Sequence, residues 1–145
     1  MTIEQALKNI RLTPNFTAYE FCNSQDGMAI ELPDISLFTN LQALRDKVGS
    51  VTITSGYRTT SYNKKVGGDP NSNHLKGLAV DVEFSTRFSV EQLKELFEVV
   101  GFSNIGIYIN KDKTYAWFHL DIGKRWNQDK GWVHYKTASV KIYNV

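Results

Sequence analysis

Ser72-Asn-His-Leu-Lys-Gly-Leu-Ala-Val-Asp-Val-Glu-Phe84 carries the chain from a polar loop into a strand. Its second half, 78–84, alternates between apolar and other residues, the period of a β-strand. Leu78, Val80 and Val82 point to one face; Ala79, Asp81 and Glu83 share the other. An acid in the middle of such a strand needs a partner, because a buried unpaired carboxylate is costly. A metal ion is one such partner. His74, seven residues before Asp81, lies on a loop able to fold back over the acid's face. A second unusual histidine, His119, sits inside the apolar strand Tyr115-Ala-Trp-Phe-His-Leu-Asp-Ile122, flanked by Phe118 and Leu120 and on the same face as Trp117 and Asp121. Two histidines and an acid form a three-ligand set of the kind zinc uses in hydrolytic sites, with water in the fourth position. Spacing alone leaves each histidine open to being a hydrogen-bonded core residue.

Outward from this stretch, the remaining signals describe an α+β domain with a small, mostly antiparallel sheet and helices on one side. Thr17-Ala-Tyr-Glu20 has the capping-box pattern, and Phe16 and Phe21 have the spacing of a hydrophobic staple. Ile35, Phe38, Leu41, Leu44 and Val48 form a helical stripe over 35–48, with Asp34 or Ser36 as cap and Gly49 as stop. A short strand over 51–54 follows, then an irregular loop over 55–77, too long to be kept without a use. Ser89 and Gln92 cap a second helix, whose stripe is Val90, Leu93, Leu96, Phe97 and Val100. Strands over 105–109 and 115–122 flank a turn, and the tail beyond Trp132 holds one or two more.

The whole chain, 1–145, reads as one domain: 145 residues are 41% hydrophobic and 22% charged, the composition of a globular protein. A net charge of +2 and the absence of a recognition motif argue against nucleic acid as a partner. No run approaches the roughly 20 apolar residues of a membrane span. One cysteine, Cys22, forbids an intrachain disulfide and excludes cysteine-rich zinc sites. The N-terminus has no secretory signal, so synthesis in the cytoplasm is expected.

Ser55-Gly-Tyr-Arg58, Ser72-x-His74-x-x-Gly77-x-Ala79-x-Asp81, Gly106-x-Tyr108 and Phe118-His119-x-Asp121 together resemble the zinc D-alanyl-D-alanine carboxypeptidases, whose fold is shared by the Hedgehog signalling domain and by phage L-alanyl-D-glutamate endopeptidases. Asn15-Phe-Thr-x-x-Glu-Phe21 and Leu41-x-x-Leu-Arg45 add to the likeness, which spans roughly 13–126. The resemblance implies Zn2+ held by His74, Asp81 and His119, and a peptidoglycan peptide as substrate. It implies that Arg58 holds a peptide carboxylate or the oxyanion, that Ser72 donates to substrate or orders its loop, and that Tyr57 and Tyr108 line the cleft, with ordinary packing the alternative for each. A monomer acting on the cell wall is expected, and a phage-encoded enzyme would fit.

The chain departs from this pattern where hydrolysis needs a general base. Relatives carry an acid three residues before the last histidine, or a histidine two before it; here those positions hold Ala116 and Trp117. Asp121 is the first candidate base, with orientation of a ligand as its alternative role. Glu83 and Asp112 are further candidates. The departure also admits a noncatalytic peptidoglycan-binding or phage structural module. His134, Lys64, Lys65 and the lysines at 111 and 113 are expected to be solvated, and Trp126 and Trp132 to cover the cleft edge or the core.

Overall fold

The protein is described by a computed structural model that covers residues 1–24, 27–28 and 32–145. The elements in chain order are α1 (Ile3–Asn9), β1 (Arg11–Thr13), β2 (Phe16–Thr17), α2 (Ala18–Cys22), β3 (Asn23–Ser24), β4 (Gly27–Met28), α3 (Ile35–Val48), β5 (Thr52–Ser55), α4 (Thr60–Lys65), β6 (Ala79–Glu83), α5 (Val90–Val99), β7 (Asn104–Ile109), β8 (Tyr115–Asp121), β9 (Val133–Tyr135) and β10 (Ala138–Asn144). Short 3₁₀ turns cover Asn73–Lys76 and Gln128–Lys130.

Local chemistry accounts for the helix ends. Ser89 accepts from the Gln92 amide while the Gln92 side chain accepts from the Ser89 amide, closing the expected capping box. Asp34 caps α3 by accepting from the Ser36 amide, and Gly49 ends it at φ +88°. Thr17 donates through its amide and hydroxyl to Glu20 at the start of α2, and Phe16 meets Phe21 edge-on at 6.0 Å. Thr2 and Gln5 form a further capping box on α1, an element the sequence pattern was not read to contain. The stretch 55–77 is less irregular than expected. Thr59 accepts from the Tyr62 amide to start α4, and Ser72 accepts from the His74 amide to start the 3₁₀ turn. Such short caps leave no apolar period to read from sequence.

Six strands form one sheet in the order β5-β6-β8-β7-β10-β9, antiparallel throughout except for the β7–β10 pair. Val80 and Val82, Phe118 and Leu120, and Ile105 and Ile107 face Leu37, Leu41 and Leu44 of α3 and Leu93 and Phe97 of α5, making one buried core. Ile35, counted in the α3 stripe, is exposed, because it is the first helical residue and overhangs the core edge.

The opposite face is ordered in cross-strand rows. One row runs Asp81, His119, Gly106 and Lys141 across β6, β8, β7 and β10. The row beside it runs Trp117, Tyr108 and Tyr143, and the row on the other side Ala79, Asp121, Asn104 and Ser139. Tyr108 stacks between its neighbours, 4.1 Å from the Trp117 ring and 4.3 Å from that of Tyr143. Alternation along each strand thus places every polar and aromatic group of interest on one side and the core on the other.

Phe118, wholly buried between Phe84 and Phe97, backs the strand position next to His119. Phe118→Ala is expected to destabilise the fold by about 3–5 kcal/mol, measurable as a lower urea midpoint with an unchanged slope.

Candidate metal centre

Asp81 stands at the middle of β6 with His119 directly opposite on β8. His74 reaches the pair from the 3₁₀ turn that precedes β6, which Gly77 ends in the left-handed region at φ +69°. The turn can close this tightly because glycine has no Cβ to strain that conformation. The result brings three ligand atoms, one from each residue, within 4.8 Å of one another, the one such group among the described residues. Asp81 Oδ1 lies 3.2 Å from His74 Nε2 and 3.0 Å from His119 Nδ1.

The outer nitrogens of both imidazoles are spoken for. His74 Nδ1 donates to the Gly56 carbonyl at 2.8 Å, and His119 Nε2 donates to Asp121 Oδ2 at 2.8 Å. In the neutral rings these bonds leave the lone pairs on His74 Nε2 and His119 Nδ1, both turned toward Asp81. That is the tautomer pair a metal-ligating set requires. Gly56 is itself pressed against α2: a Cβ there would lie 2.2 Å from the Phe21 carbonyl oxygen, so only glycine fits. The donor set and its outer hydrogen bonds fit a divalent ion such as zinc.

Without an ion, the lone pairs and the carboxylate compete for a proton. Burial works against charge on His119, but its hydrogen bonds to Asp121 and Asp81, and their negative charges, outweigh it and push its pKa up to about 9. Burial would likewise raise the Asp81 carboxyl, but the charge of His74 and the hydrogen bond from His119 hold it well below the usual carboxylate range.

The other expected site residues fall in distinct places. Asp121 is fully buried, and its Oδ1 accepts from Asn104 Nδ2 at 2.6 Å and from the Gly123 amide at 3.1 Å. It therefore stands behind His119, on the ring edge away from Asp81. There Oδ2 fixes the orientation of the His119 ring. Arg58 does reach the centre, but it spends its guanidinium on protein. Nη2 bonds Asp81 Oδ2 at 3.1 Å, Nε bonds Ser55 Oγ at 3.1 Å, and Nη1 bonds Asn63 Oδ1 at 3.3 Å. One N–H on each terminal nitrogen remains for a ligand. Ser72 and Tyr108 line a cleft of about 290 Å³ that opens on His119, with Asp69, Asn73, Trp126 and Trp132 around them. Tyr57 does not line it. Asp112 caps the β7–β8 turn by accepting from the Thr114 amide and hydroxyl, and Glu83 is exposed at the end of β6.

A family model for Peptidase M15 matches residues 11–121, three-quarters of the chain and all three members of the cluster. The chain belongs to the peptidase M15 family. No curated protein sequence matches it. Within this M15 chain, sequence reasoning missed Asn104, which is buried and ties Asp121 to the wall segment by donating to the Lys124 carbonyl at 2.9 Å and accepting from the Trp126 amide at 2.8 Å. Nothing in a strand that opens with a lone asparagine signals that role. Lys130, Lys141 and Tyr143 were missed too, and all line the cleft past residue 126, beyond the matched motifs. His134 is exposed as expected, but it clasps that wall, with Nε2 donating to the Trp126 carbonyl and Nδ1 accepting from Arg125.

The metal-free fold should be pH-sensitive in a defined window. His119 goes from an ordinary value of 6.5 to about 9 on folding, so its stabilisation is complete below pH 6.5 and lost as pH rises through 9. Asp81, depressed below its ordinary 3.8, adds stability present above that pH and lost on further acidification. Urea midpoints in chelator should therefore be highest between these limits and fall toward pH 9. His119→Gln should flatten the alkaline limb, and a wild-type midpoint that stays constant from pH 6 to 9 would contradict the assignment.

Proposed function

We propose that the protein is a zinc-dependent peptidase acting on peptidoglycan, hydrolysing peptide bonds next to D-amino acids, as a D-Ala-D-Ala carboxypeptidase or an L-Ala-D-Glu type endopeptidase. The observation that carries this reading is the convergence of His74, Asp81 and His119, each fixed by an outer hydrogen bond, at the mouth of a cleft. M15 membership supports peptide hydrolysis, and the resemblance of the motifs to D-alanyl peptidases supports the cell-wall substrate. A phage-encoded or cell-wall-acting enzyme fits the same resemblance.

His74 Nε2, Asp81 Oδ1 and His119 Nδ1 would hold the zinc. The ion, when bound, lowers the pKa of a water toward 7 and polarises the scissile carbonyl. Asp121 keeps the Nε2 proton of His119 in place and so presents Nδ1 as a lone pair. Arg58 balances the Asp81 charge through Oδ2 and offers its remaining N–H groups to a developing oxyanion or a substrate carboxylate. Ser72 orders the histidine turn with its hydroxyl oxygen and can present its proton to a peptide in the cleft. Tyr108 remains protonated, since burial and the charges of Tyr143 and Asp81 raise its pKa, so it serves as a donor. A second reading, a binding module that keeps the metal without turnover, is favoured by the burial of Asp121.

His119→Ala should lose bound zinc and all release of D-alanine or new amino groups from purified cell walls, while keeping its far-ultraviolet circular dichroism. Asp121→Asn, with the outer acceptor weakened, should bind zinc about 10–100-fold less tightly. Wild-type protein that retains no zinc would end the metallopeptidase reading; zinc retention with cell-wall binding but no cleavage would establish the binding module.

A further inference from the structure

Lys141 belongs to the same cross-strand row as the candidate ligands: Asp81, His119, Gly106 and Lys141 lie side by side on one face. Strands are spaced about 4.8 Å apart, so Lys141 lies on the order of 10 Å from His119, backbone to backbone. Between them is a glycine. A Cβ at Gly106 would meet the His119 Cβ at 3.1 Å and the rings of Tyr108 and Tyr143 at 3.3 and 3.6 Å, so only glycine lets these side chains close over the strand. His119 and Lys141 line one cleft, together with the stacked rings of Tyr108 and Tyr143 and the indoles of Trp126 and Trp132.

Among the described residues, Lys141 forms no ion pair. Lys141 Nζ sits 3.4 Å from the Lys130 carbonyl and 5.1 Å from the centre of the Tyr143 ring, and Lys130 Nζ lies 6.0 Å over Trp126. Among the described residues, the ion pairs of lysine involve Lys8, Lys94 and Lys136, and none involves Lys130 or Lys141. An adjoining cavity of about 330 Å³ shares Asn73, Trp126 and Lys130 with the cleft and adds Lys76, Lys124 and Arg125. Asp69, on the rim, is the one carboxylate lining either hollow. In a chain of net charge +2, this is a local concentration of positive charge beside the candidate metal centre.

We propose that Lys141, with Lys130 beside it, is the specificity-determining anion site of the cleft, and that it engages a carboxylate of an acidic peptide about two to three residues from the bond held at the His74–Asp81–His119 centre. The inference rests on the peptidase reading for the bond, but not for the anion. A free carboxylate is the chemistry that an ammonium over aromatic rings selects, and an amidated side chain of the same shape is what it rejects. Single-stranded nucleic acid also uses lysines and stacked aromatics, but Asp69 on the rim and the opening toward the ligand cluster favour a peptide.

The test measures binding by tryptophan fluorescence and cleavage by amine release. The proteins are zinc-treated and chelator-treated wild type, Lys141→Met, Lys130→Met/Lys141→Met, and Lys64→Met as an exposed control outside the cleft. The probes are the stem pentapeptide L-Ala-γ-D-Glu-L-Lys-D-Ala-D-Ala with free carboxylates, the same peptide amidated only at the D-Glu α-carboxyl, and an oligothymidylate of eight nucleotides. Wild type should bind the free acid about tenfold tighter than the amide. That preference should vanish in both cleft variants and persist in Lys64→Met, whose kcat should stay within about twofold of wild type. Equal binding of acid and amide by wild type, a preference that survives in the double variant, or tighter binding of the oligothymidylate than of the acidic peptide would each overturn the proposal. Preference without cleavage removes the peptidase reading and keeps the lysine site; cleavage without preference removes the lysine site and keeps the peptidase.

Discussion

A carboxylate in the interior row of a β-sheet has to be surrounded by groups that welcome its charge, and Asp81 organises this protein around that requirement. Two imidazoles meet one of its oxygens and a guanidinium meets the other. Each of those partners is held in turn. His74 is anchored on the Gly56 carbonyl, His119 on Asp121, and Arg58 on Ser55 and Asn63. Asp121 depends further on Asn104 and the Gly123 amide. The network thus reaches from the turn after β5 to the start of β7. Partly satisfied, such a network would cost more than an apolar core; fully satisfied, it holds a single geometry. A divalent ion among the three ligand atoms would replace the shared proton that otherwise keeps them together.

The sheet converts this local demand into a cleft. Its register sets Asp81, His119, Gly106 and Lys141 in one line, with aromatic residues in the row on one side and the Asp121–Asn104 support in the row on the other. The single parallel pair, β7–β10, is what adds Lys141 and Tyr143 to a face otherwise built by the antiparallel strands of the matched region. Gly106 lets the His119, Tyr108 and Tyr143 side chains close over the middle of the line. The segment after β8, tethered through Asn104, Ser139 and His134, brings Trp126 over this face.

The elements with a regular period or a capping pattern could be read from the chain: α3 from its apolar stripe and Asp34, α5 from Ser89 and Gln92, β6 and β8 from their alternation. The candidate cluster was legible because Asp81 and His119 each break such a pattern, an acid and an imidazole where the strand asks for an apolar residue, and because the surrounding motifs resemble a family. The helix α1 carried its signal, Thr2 with Gln5, in a segment too short to show an apolar period. The helical turns inside 55–77 were hidden for the same reason, being built from side-chain caps. The sequence leaves Asp121 as base or orienting group, since both roles need the same strand face; its burial and its bonds to Asn104 and the Gly123 amide come from the fold. The sequence does not signal that Arg58 also bonds Asp81, a contact made by the turn after β5 across to β6.

What the sequence determined by itself is local: which stretches are strands and helices, which residues share a strand face, and which side chains are chemically out of place in an apolar run. These follow from backbone periods of 2.0 and 3.6, which need no knowledge of distant residues. Only the tertiary structure decided which nitrogen of each histidine faces Asp81, that Asp121 stands behind His119, and that Lys141 lies in line with Asp81 and His119. Those facts depend on strand order and register between residues far apart in the chain, and a register shift of one residue would turn every one of these groups to the other face.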